Sequence, residues 1–126
     1  MTVMIGFYVY MVVCVFLLPA AMLFLGHRWQ KKPPDSINAV FGYRTRRSMS
    51  SKQAWDYAHR YCGRIWVKCG WFSAVFAVLS MIFLGIVTLD VSTVGIFGGI
   101  ITCLELLPAA ASLAATERAL KRVFGI

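Results

Sequence analysis

Apolar and polar positions are segregated along this chain into long blocks. Met1 to Gly26 contains no Asp, Glu, Lys or Arg, and Cys69 to Leu89 is a second charge-free run of 21 residues. Val91 to Thr116 carries one charge, Glu105, among 26 residues. A helix needs about 20 mainly apolar residues to cross a hydrocarbon layer of about 30 Å, and each run is long enough. Soluble helices interrupt such runs with a polar face every third or fourth residue. Barrel strands alternate with period two. These blocks do neither, so the pattern predicts an all-α membrane protein whose three transmembrane helices cover about 3–26, 65–89 and 91–116. The first block lacks the basic start and the small-residue cleavage site of a secretory leader, so it is read as a retained span.

Between the first two spans, residues 27–64 form a polar segment in a single three-span unit covering 1–126. Trp29 has the amphipathic ring of a headgroup-level anchor. Pro33-Pro34 ends any helix there, because neither residue has a backbone N–H to donate. Ser50-Ser51-Lys52-Gln53 has the form of a capping box with Ser50 as N-cap. Ala54, Trp55, Ala58, Tyr61 and Cys62 then recur on one helical face. Lys52, Gln53, Asp56, His59 and Arg60 take the other side, with Asp56 and Arg60 spaced for an ion pair. The expectation is an amphipathic helix lying in the cytoplasmic interface, followed by a bend at Gly63.

Charge then orients the chain. The protein has 13 Lys and Arg against 5 Asp and Glu, a net charge of +8, with only 14% charged residues and 60% hydrophobic ones. Ten of the 13 cations lie between Arg28 and Lys68, and the other three are Arg118, Lys121 and Arg122. Cations stay on the cytoplasmic side. The expected topology is therefore amino terminus outside, basic segment inside, a short turn near Asp90 outside and carboxyl terminus inside. A basic balance of this kind commonly signals nucleic-acid binding; in an apolar chain it signals topology and contact with anionic lipid head groups, and no nucleic-acid partner is expected. Cys14 and Cys103 fall within spans, while Cys62 and Cys69 lie near the reducing face, so no disulfide framework is expected. The spacing of His59, Cys62 and Cys69 matches no standard zinc pattern, and no metal or other cofactor is expected.

The basic segment contains Pro33-Pro34, Asn38, Gly42-Tyr43-Arg44-Thr45, Arg47-Ser48-Met49, Ala54-Trp55 and Ala58. This order resembles the signature of the SdpI family, small bacterial integral membrane proteins named after an immunity protein against a secreted killing peptide. The resemblance implies a non-enzymatic multi-pass protein of the bacterial cytoplasmic membrane. It implies immunity to a membrane-active peptide toxin, or a part in envelope stress signalling with a regulatory protein as partner. It singles out Asn38, Gly42, Tyr43, Arg44, Thr45, Arg47, Ser48 and Trp55 as candidate ligand- or partner-binding positions. Their chemistry allows two readings. Arg44 and Arg47 can make two-point bonds to a phosphate or carboxylate. Equally, the loop can be a plug that ties the three helix ends together, its arginines bonded to carbonyls at helix termini.

Glu105 is a second candidate, because acids inside a membrane are costly and point to function. Its helical face collects Gly98, Thr102, Ala109 and Ser112. Pro108 leaves the Leu104 carbonyl without its usual donor. The carboxyl is expected to bond Thr102, or Ser73, Ser80 or Tyr10 on neighbouring helices, or to pair with the motif arginines. A small oligomeric transporter using Glu105 and a lipid-binding module are the competing function classes. Gly95 and Gly99 offer a close helix contact, inside the unit or in a homo-oligomer. No catalytic residue set is recognisable.

Overall fold

The computed structural model describes residues 1–126. The chain is all-helical: α1 spans Thr2–Lys31, a 3-10 turn covers Ser48–Ser50, α2 spans Lys52–Val87 and α3 spans Val91–Phe124. All three are long and apolar enough to cross a membrane. At 1.5 Å per residue the 30, 36 and 34 residues give rods of roughly 45–55 Å. They exceed a hydrocarbon layer of about 30 Å, so each helix carries a polar extension beyond its apolar part.

Those extensions correct the expected second element. No separate interfacial helix exists and the helix does not break at Gly63, because α2 runs uninterrupted from Lys52 to Val87. The reason lies in packing. Gly63 faces Gly26 of α1, where an added Cβ at either glycine would come within 2.9 Å of the other's carbonyl oxygen. The missing side chain serves close helix contact. The start also shifts by one residue: Ser51 is the N-cap, its hydroxyl accepting from the Ala54 N–H at 3.0 Å. On the exposed side Asp56 pairs with Lys52 at 2.7 Å, not with Arg60.

Residues 88–90 join α2 to α3 in a tight turn, which makes the two helices antiparallel. Asp90 caps α3, accepting from the Thr93 N–H at 3.1 Å and the Thr93 hydroxyl at 2.9 Å. The helix ends at Gly125, in the left-handed conformation with φ +70°. Pro19 and Pro108 sit inside α1 and α3, which continue through them. α2 packs most extensively on α1. Gly70 lies against Leu23, and Gly85 against the ring of Tyr8, whose hydroxyl donates to the Met81 carbonyl at 2.5 Å. Gly95 lies against Phe7 and Gly98 against Met11 of α1, whereas Gly99 meets nothing. The helix contact expected of Gly95 and Gly99 is thus made by Gly95 and Gly98.

Two clusters form the interior. Met11, Val15, Ala77, Met81, Val94 and Ile101 join the three apolar spans. Trp29, Tyr43, Ala54, Ala58, Cys62 and Leu120 join the polar end. Only 28 of 126 residues are buried, and Leu17, Phe24, Phe72, Leu79, Phe83 and Leu107 point outward. A surface this apolar suits a lipid solvent, not water.

Candidate functional site

The segment from Pro33 to Ser51 folds as a cap over the polar end of the bundle, and its local chemistry explains the shape. Asn38 builds the first turn: its side-chain oxygen accepts from the N–H groups of Val40 at 3.0 Å and Phe41 at 2.7 Å, while its amide donates to the Ser36 carbonyl at 3.1 Å. Such side-chain mimicry of a backbone turn is what Asn does in loops. Gly42 follows with φ +119°, a conformation that L side chains rarely adopt. Any Cβ there would stand 2.7 Å from His59 Nε2 and 3.0 Å from the Trp55 ring. The glycine lets the loop lie flat on α2.

Tyr43 then drops into the bundle. Its N–H donates to His59 Nε2 at 2.8 Å, and its hydroxyl donates to Glu117 Oε1 at 3.0 Å with the Leu113 carbonyl at 3.3 Å. Burial, and then the Glu117 carboxylate beside it, push the phenol pKa well above its usual value. Ser48, fully buried, closes the next turn. Its hydroxyl donates to the Tyr43 carbonyl at 2.8 Å and accepts from the Thr45 N–H at 2.8 Å, while the Ser48 N–H donates to the Thr45 hydroxyl at 3.1 Å. Trp55, also fully buried, donates its indole N–H to the Pro34 carbonyl at 3.0 Å.

The two arginines part company. Arg47 turns toward α3, 3.3 Å from the Glu117 carboxylate, and its Nε donates to the carbonyl of Ile126 at 2.7 Å. Arg44 is exposed and donates to the Ala39 carbonyl within its own loop. The eight motif positions therefore come together, but chiefly as ties: all eight bond or pack onto loop, α2 or α3, and Arg44 does so while remaining exposed at the surface.

Glu117 and His59 complete the cap and were not among the candidates read from the sequence. Burial raises the Glu117 carboxyl, but hydrogen bonds from Thr45, Tyr43 and Arg47 and the Arg47 charge outweigh it and hold the pKa below the usual carboxylate value. His59 is completely buried, not on a polar face. The Tyr43 N–H can only donate, so Nε2 is the acceptor and Nδ1 carries the proton toward the Trp55 carbonyl, 2.7 Å away. Both ring nitrogens are thus occupied, and desolvation lowers the imidazole pKa. The signal was there: His59 is four residues after Trp55 and three before Cys62, on the same helical face. Trp29 is likewise inside the cluster, its ring buried against protein, 4.8 Å from the His59 ring and 5.2 Å from Trp66.

Glu105 belongs to a different place. It is buried, and neither carboxyl oxygen has a hydrogen-bond partner. Thr102 donates to the Gly98 carbonyl at 3.0 Å, along its own helix, and does not reach the acid. Tyr10 faces outward, Ser80 lines a separate cleft with Leu84 and Thr93, and the motif arginines are engaged elsewhere. Of the expected neighbours only Ser73 shares a cavity with it.

Three long apolar helices closed at one end by a polar cap define a multi-pass membrane protein. The sequence model of the SdpI/YfhL protein family matches residues 36–112, more than half of the chain. The chain belongs to that family. It is 53% identical over 38 residues to the uncharacterized protein YfhL of Bacillus subtilis (strain 168), a match covering 30% of this chain and 34% of that one. The chain thus spans about a third of that relative's length. No solved structure matches.

Proposed function

We propose that this chain is a non-enzymatic protein of the bacterial cytoplasmic membrane that protects its cell against a membrane-active peptide. In this reading the amino terminus is outside, and the cap and the carboxyl terminus are cytoplasmic. Family membership supports the protective role, and the gathering of ten of 13 cations between Arg28 and Lys68 supports the orientation. One observation carries the assignment of the working surface. The motif's inward residues bond to α2 and α3 and thereby fix a loop whose Arg44 and Arg46 project outward. A rigid surface of exposed arginines suits anionic lipid head groups or the acidic part of a peptide or regulatory protein. Envelope stress signalling is the form of this reading in which a regulatory protein occupies that surface.

The test is survival of a peptide-sensitive bacterium expressing the chain, with membrane levels checked by blotting. Expression should confer protection. Arg44→Lys keeps the charge but loses the planar two-point geometry, so protection should fall at unchanged protein level. Full protection by Arg44→Lys would remove the arginine from the account. Lack of protection by the unaltered chain would reject the role itself.

A further inference from the structure

Glu105 has no use in the cap, yet its surroundings have the features of a binding site. The residue is 2% exposed, with both carboxyl oxygens unpartnered. Glu105 forms part of the wall of a cavity of about 260 Å³ between α2 and α3, together with Phe72, Ser73, Phe76, Leu104 and Pro108. Phe72 is 73% exposed and Leu104 46% exposed, so the cavity mouth faces away from the bundle, toward the bilayer. Entry from lipid follows.

The polar groups at this cavity are the Glu105 carboxyl, the Ser73 hydroxyl, which can donate or accept, and the Leu104 carbonyl, to which Pro108 has no N–H to donate. Two further donors nearby are occupied: Thr102 bonds Gly98, and the Trp66 indole donates to Ser112 at 2.7 Å. No Lys or Arg lines the cavity. The remaining walls include the rings of Phe72 and Phe76, whose faces attract cations. A carboxyl with two further oxygens beside aromatic rings, and with no cation in the lining, complements a cationic donor better than an anion. The volume is below the ~300–1,000 Å³ of drug-sized pockets, which fits an ammonium head with the first part of an apolar chain. A lipid headgroup amine is ruled out by depth, because Glu105 lies 11 residues, about 16 Å, inside the apolar run that ends at Thr116.

We propose that the α2–α3 cavity at Glu105 is a binding site for a protonated apolar amine that enters from the bilayer. The site stands apart from the cap, and its test reads binding whether or not the chain confers protection. The full chain in phosphatidylcholine nanodiscs is treated with dicyclohexylcarbodiimide, an apolar reagent for carboxyl groups within membranes, and the label is mapped by mass spectrometry. Label is expected on Glu105 and not on Asp35, Asp56, Asp90 or Glu117, which lie outside the apolar spans. Octylamine should slow labelling severalfold, and octanol or octanoate should leave it unchanged. Glu105→Gln should lose both the label and octylamine binding by native mass spectrometry, with its helical circular dichroism retained. The unaltered chain alone suffices to overturn the proposal. Absence of label on Glu105 would close the route from lipid. Labelling indifferent to octylamine would leave a carboxyl that binds only a proton, and equal slowing by octanol would remove the requirement for a cation.

Discussion

Gly42 concentrates the most constraint in one residue. Its φ of +119° and the 2.7 Å that would separate a Cβ from His59 Nε2 act together. Gly42→Ala should therefore cost about 1–3 kcal/mol through backbone strain alone, with more from the clash, read as a lowered thermal unfolding midpoint in detergent. His59 adds a dependence on pH. Protonation requires a hydrogen on Nε2, which would displace the Tyr43 N–H, and burial disfavours the cation further. The native state thus binds this proton less readily than the unfolded chain, whose imidazole titrates near 6.5. The contribution to stability is complete above that value and declines as pH falls below it. Glu117 acts at lower pH in the same direction: its depressed pKa gives stability that is lost as pH falls below 4.5. Unfolding midpoints measured from pH 7.5 down to 5 should decrease for the unaltered protein and flatten in His59→Gln. Parallel profiles for the two would exclude His59 as the source.

Among the elements, α1 and α2 are joined where neither helix has a side chain. A Cβ at Gly63 would lie 2.7 Å from the Gly26 carbonyl oxygen and 2.9 Å from the Gln30 nitrogen, and backbone atoms cannot move aside as a side-chain tip can. Gly63→Ala should lower the unfolding midpoint. Gly6→Ala, where nothing lies within 4 Å, should leave it unchanged or raise it, because Ala favours a helix over Gly by roughly 0.5–1 kcal/mol. Equal effects would mean that the helices do not meet at this pair. The same glycine marks the limit of what the sequence discloses. The charge-free runs are a local property of the chain, and they located the three spans directly. Gly63 has the same low helix propensity in a bend as in a helix contact, and only the position of Gly26 opposite decides between them. For the cap, the clustering of motif residues was legible, whereas the polar imidazole set His59 with Asp56 and Arg60 on the outer face although its spacing to Trp55 and Cys62 puts it on the inner one. The pairing of Tyr43 and Arg47 with Glu117 was not, since it joins residues 70 or more positions apart. The isolation of Glu105 depends in the same way on which faces of α2 and α3 meet.

For the whole molecule, the cap fastens the loop between α1 and α2 to the end of α3, so all three helices share one polar end. Tyr43→Phe removes a hydrogen bond to a partly buried carboxylate and should cost about 1.5–3 kcal/mol by thermal unfolding. The Arg47–Glu117 pair, whose side chains are 41% and 24% exposed, should be worth at most about 1 kcal/mol. A larger loss in Arg47→Gln than in Tyr43→Phe would place the main tie elsewhere. The proposed function has this shared end face the cytoplasm. The most direct test is the accessibility of single cysteines to a membrane-impermeant thiol reagent on intact cells. Cys14, Cys62, Cys69 and Cys103, all free thiols, are first replaced. Thr2→Cys and Leu89→Cys should label from outside, the latter chosen to spare the Asp90 cap of α3. Lys31→Cys and Lys121→Cys should label only after permeabilisation. Labelling of Lys31→Cys or Lys121→Cys on intact cells would put the cap outside and contradict the account.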